Sequence, residues 1–126
     1  MKIKDLLFEG VISPDLLNKF LRHCAQELDL ESLPELNLID SKEYSAQNKS
    51  FGGYDPESKS ITLNTNGRHQ MDVFRTLAHE LTHYKQDTLG MLDDTSGETG
   101  SPIENEANAV AGIIMRNFGK EHPDLF

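Results

Sequence analysis

The segment His79-Glu80-Leu81-Thr82-His83 restricts this chain more than any other feature. Two histidines four positions apart on an α-helix share one face, one turn apart. At about 100° per residue, Phe74, Leu77, Ala78 and Leu81 gather into one apolar stripe, and His79 and His83 lie roughly opposite it. A core built on that stripe has no need of the imidazoles. Together they can reach one divalent cation such as Zn²⁺, while Glu80, on a neighbouring face, can contact a metal-bound water rather than the metal. A pair of exposed surface histidines would satisfy the same spacing, so the weight falls on finding a third ligand.

Structural zinc takes four protein ligands, catalytic zinc three and a water. The single cysteine, Cys24, excludes a cysteine-based site and an internal disulfide, and is expected in the core of the first helix. Leu89 stands where the extended metzincin motif requires its third histidine. That leaves His23, His69 and His122, and downstream Asp87, Asp93, Asp94, Glu98, Glu104 and Glu106. Ser101-Pro102-Ile103-Glu104 reads as a capping box, which gives Glu104 a structural task at the helix start. Glu106 falls between Val110 and Ile113 on the border of an apolar stripe, where an unpaired carboxylate is costly. Glu106 is therefore the expected third ligand, ahead of Glu104 and of His122.

The rest of the chain supplies a frame. Ser13-Pro14 marks a helix start, followed by Leu17, Phe20, Leu21, Cys24 and Leu28 at helical spacing. Leu36 and Leu38 alternate across a short strand over about 35–40. Gly52-Gly53-Tyr54 and Ser60-Ile61-Thr62-Leu63-Asn64 flank Asp55-Pro56-Glu57-Ser58, which reads as a hairpin. Helices are expected over about 70–88 and from Pro102 to about Phe118, with Gly119 as the stop. Helix, strands, helix, helix is an α+β order in one domain of 126 residues.

Twelve basic against 21 acidic residues, a net charge of −9, argue against nucleic-acid or anionic-membrane partners. The longest apolar run, Ala109 to Met115, is too short to span a bilayer. Asp5 and Glu9 interrupt what would be the apolar part of a signal peptide, so a cytoplasmic location is expected.

His79-Glu80-Leu81-Thr82-His83 followed by Glu104-Asn105-Glu106-Ala107-Asn108, with the Gly52-Gly53-Tyr54 hairpin upstream, resembles the small gluzincin metallopeptidases: the minigluzincins and the peptidase domain of ImmA/IrrE-like proteins. The resemblance covers about residues 51–118. It implies a single zincin-like domain over 1–126: an N-terminal helix and first strand in 1–50, a small, mostly antiparallel sheet, a catalytic core in 51–118, and a tail over 119–126. It further implies His79, His83 and Glu106 as ligands of one Zn²⁺ per chain and Glu80 as the base that activates water for peptide-bond hydrolysis. A peptide or protein would be the substrate, pairing with the strand Ile61, Thr62, Leu63 and Asn64.

The oxyanion donor of the larger gluzincins has no clear counterpart among Tyr44, Tyr54, His69, Tyr84, Arg116 and His122. The alternatives are a catalytically weak or latent zinc-bearing module that binds or regulates proteins, with the tail or the N-terminal segment covering the cleft, and a hydrolase of small amides.

Overall fold

The computed structural model describes residues 13–43, 51–92 and 101–123. Helix α1 spans Pro14–Leu28, β1 Glu35–Ile39, β2 Gly52–Asp55, β3 Ser60–Asn64, α2 Gln70–Thr88 and α3 Pro102–Glu121. The fold is α+β. Tyr44, Asp93, Asp94, Glu98 and the end of the tail lie outside the described residues.

Each helix starts where the sequence places a cap. Ser13 Oγ accepts from Leu16 N–H at 3.4 Å, with Pro14 in the first turn. His69, considered above as a ligand, instead caps α2 by accepting from Met71 N–H at its Nδ1. Asp29 closes α1 in the left-handed conformation, φ 53°. Gly119 does not stop α3, which continues to Glu121. A glycine ends a helix by adopting positive φ, and in the described chain only Gly67 and Gly90 do so.

The sheet has the order β1-β3-β2 and is mixed rather than mostly antiparallel. β2 and β3 form the expected hairpin, Tyr54 opposite Ile61. Its turn is held by Asp55, which accepts from Glu57 N–H at 3.0 Å and Ser58 Oγ at 2.9 Å. β1 runs parallel to β3 on the other side, Leu36 opposite Ile61 and Leu38 opposite Leu63.

The core lies between the sheet and the three helices. Phe20, Phe74 and Phe118, one from each helix, are fully buried and meet at ring-centroid distances of 4.5 to 6.2 Å. Cys24 is buried beside them, and burial pushes its thiol far above the ordinary range, so it packs as an inert apolar group. Among the described residues no helix is long and apolar enough to cross a membrane.

Candidate metal centre

α2 and α3 lie against one another, and the histidine face of α2 meets the first turns of α3. His79 Nε2 and His83 Nε2 are 3.1 Å apart. Glu104 spans them, with Oε1 2.7 Å from His79 Nε2 and Oε2 3.1 Å from His83 Nε2. These three donors lie within 4.8 Å of one another, and all three side chains are half-buried. Glu80 points into the same cavity of about 670 Å³, whose lining includes Gly52, Tyr54, Arg75 and Asn108.

The carboxylate brought to the histidines is that of Glu104, and the expectation for Glu106 is corrected by geometry. Buried Ala107, Ala111, Ile114 and Phe118 form the inward stripe of α3, and continuing it back one step reaches Glu104. The apolar stripe expected from the sequence includes Ile113, but Ile113 is 51% exposed. Glu106 lies two positions from Glu104 on an exposed face. The cap is half as expected: Ser101 Oγ accepts from Glu104 N–H at 3.1 Å, while the Glu104 carboxylate turns to the histidines.

Gln86, which the sequence reading did not single out, organises the site from behind. It is 1% exposed. Its Nε2 donates to Ile103 O at 3.1 Å and Glu106 Oε1 at 2.9 Å, which turns its Oε1 to His83 Nδ1 at 2.8 Å. His83 donates from Nδ1, so in the neutral ring it is Nε2 that turns its lone pair toward the Glu104 carboxylate. Lone pair against carboxylate at that distance is repulsive unless a proton or cation lies between them. Two imidazoles and one carboxylate are a donor set that zinc accepts with a coordination position to spare, so these residues fit the ion. Asn108, one turn after Glu104, hydrogen-bonds His79. The signal for Gln86 was its place one turn beyond His83.

The site's titrations follow its burial. Burial lowers the pKa of His79 and His83 lowers it further, against the raising pull of Glu104, so its neutral, ligating form is favoured. Burial, then the charge of Glu104, raises Glu80 from 4.5 to about 7, opposed by a hydrogen bond from the Tyr54 backbone N–H.

The other candidates lie elsewhere. Tyr54 lines the cavity, but its hydroxyl donates to Asp87 Oδ2 at 2.6 Å, and Asp87 also pairs with Lys59. Asp87 therefore does not orient a histidine. The Tyr84 hydroxyl meets Ser32 Oγ at 2.8 Å. Thr76 also lines the cavity, but its Oγ1 donates to Asp72 O and accepts from Arg68 Nη2. His23 packs under α3 against Ile114 O, and His122 caps α3 beside Phe118. Among the described residues, the side-chain donors of the cavity lining that remain are Arg75 and Asn108. Ile61, Thr62, Leu63 and Asn64 occupy the central strand, hydrogen-bonded on both sides, and so have no edge to offer a substrate.

Residues 38–116 match the family model of peptidase M78, described as the IrrE N-terminal-like domain. That span includes every residue of the centre and leaves out α1. Comparison with curated proteins and with solved structures gives no match.

Proposed function

The chain belongs to the peptidase M78 family of IrrE N-terminal-like domains, and on that premise we propose that it is a zinc-dependent peptidase. The observation that carries the reading is the convergence of His79, His83 and Glu104 with Glu80 in one cavity. His79, His83 and Glu104 would hold the ion. When bound, zinc supplies Lewis acidity, polarising the scissile carbonyl and making water a better nucleophile.

The chain's own residues do the rest. Glu80, with a pKa near neutrality and its carboxylate held by the Tyr54 N–H, takes the proton of the attacking water and passes it to the leaving nitrogen. Arg75 and Asn108 are the donors placed to meet developing negative charge. Among the described residues β2 is the outer strand on the cavity side, and Gly52 and Tyr54 line the cavity. An extended substrate would lie along β2, in place of the β3 residues expected above.

The test compares wild type with Glu80→Gln on a peptide library, with zinc measured in both. Cleavage by wild type alone, with equal zinc, supports the reading. Equal zinc and no cleavage by either returns the protein-binding module.

A further inference from the structure

We infer that the cleft continues along α3 into a basic groove that selects substrates with acidic side chains near the scissile bond; this rests on the peptidase reading and extends it to a substrate class. Arg75 lines the metal cavity and also a second groove of about 590 Å³, whose other walls include Gly112, Met115, Arg116 and Lys120. The two depressions thus adjoin at one residue, Arg75.

α3 paves the path. Glu104, Asn108 and Ala111 line the cavity, and Gly112, Met115, Arg116 and Lys120 continue along the same helix. Small residues fall at the junction. A Cβ built on Gly112 would meet nothing within 4 Å, so the floor there is open.

The charge of the groove runs against that of the chain. With 21 acidic and 12 basic residues, the protein places three cations around this one groove. Among the described residues none of the three pairs with a carboxylate, whereas Lys59 is matched by Asp87. Among the described residues the acidic groups nearby face other ways: Glu121 turns to His23, and Glu104 to the two imidazoles. Asp72 lies on the Arg68 side of α2.

An extended carboxylate-bearing peptide complements this arrangement in shape and sign. At about 1.5 Å per residue of helix, Arg75 is about 6 Å from the level of His79, and Arg116 about 18 Å from that of Glu104. Extended chain rises about 3.3 Å per residue, so the selected acidic residues lie about two to five positions from the scissile bond.

The test measures binding of labelled peptides to the zinc-loaded full chain carrying Glu80→Gln. The peptides are identical except that a Glu-Glu pair, walked along the sequence, is replaced by Gln-Gln. Acidic peptides should bind on the order of fivefold tighter at low salt, with the preference shrinking as salt rises. Arg116→Gln with Lys120→Gln should remove the preference, and Arg116→Glu with Lys120→Glu should reverse it toward Lys-Lys peptides. Equal binding of the matched peptides, no measurable binding of the acidic ones, or a preference that survives both double substitutions overturns the groove. Cleavage by the unsubstituted chain is read separately. Peptides cut without regard to acidic residues leave the peptidase and remove the groove, and acidic preference without any cleavage does the opposite.

Discussion

Gln86 Oε1 accepts from His83 Nδ1 at 2.8 Å, a part-buried contact within α2 that ties a metal-facing histidine to an amide reaching across to α3. The same amide donates to Ile103 O and Glu106 Oε1 on α3, so its orientation is determined and the His83 tautomer follows. Glu106 thus acts behind the histidine.

Replacing Gln86 separates positioning from packing. Gln86→Met keeps the volume but removes the acceptor, and should weaken zinc binding about 10- to 100-fold. It also strips the donor from two part-buried acceptors, Ile103 O and Glu106 Oε1, which should cost the metal-free fold about 1 kcal/mol. Gln86→Glu keeps the acceptor for His83 but sets a carboxylate against Glu106, and should be as harmful. Adding Glu106→Gln restores a donor and should recover zinc affinity. Competition with a chromophoric chelator measures each; failure of the double variant to recover would sink the positioning role.

Glu104 and Glu106 should behave unequally. Glu104→Ala leaves two imidazoles and should abolish retention of one zinc per chain through gel filtration. Glu106→Ala leaves Gln86 anchored by Ile103 O, and should lose no more than about tenfold in affinity. Elemental analysis of the two variants checks the pair, and equal zinc contents would contradict the assignment to Glu104.

The site was legible in the sequence where local periodicity governed it. His79, Glu80 and His83 needed only the turn of one helix, and the caps at Ser13 and Ser101 needed only their own neighbours. The choice between Glu104 and Glu106 turned on which face of α3 meets α2, and one misplaced apolar residue, Ile113, rotated that face. β1 pairing in parallel with β3 was out of reach, because two strands with alternating patterns carry no record of which edge they join. Gln86 shows only a polar letter in sequence, and its task appears once Ile103 and Glu106 arrive from another helix.

Glu80 should make the metal-free protein less stable as pH rises. Its folded value of about 7 lies above the ordinary 4.5, so the neutral form is the one the fold favours. That contribution is complete below about 4.5 and is lost progressively as pH climbs through 7, on the order of 3 kcal/mol in all. His79, whose pKa is lowered by burial, acts in the opposite sense, its stability being lost as pH falls. Subtracting the Glu80→Gln profile isolates the carboxyl. Denaturant unfolding of both proteins with chelator present, from pH 4 to 8, checks it, and parallel profiles would count against a buried, neutral Glu80.

Gly52 and Gly53 should respond oppositely to alanine. A Cβ on Gly52 would sit 2.9 Å from Thr62 O, 3.0 Å from Thr76 Cγ2 and 3.1 Å from Leu63 Cδ2. The first of these is backbone and cannot yield without shifting the strand, so Gly52→Ala should cost about 1–3 kcal/mol. Gly53 has open space around its Cβ direction, and Gly53→Ala should be near neutral or stabilising by up to about 1 kcal/mol. The Gly52 change reaches the site as well. Moving β2 outward carries the Tyr54 N–H away from Glu80, which loses the bond that lowers its pKa. Thermal unfolding ranks the two variants. In Gly52→Ala the pH at which the Glu80 contribution is lost should also move upward, and an unmoved profile would mean that the strand absorbs the methyl without shifting.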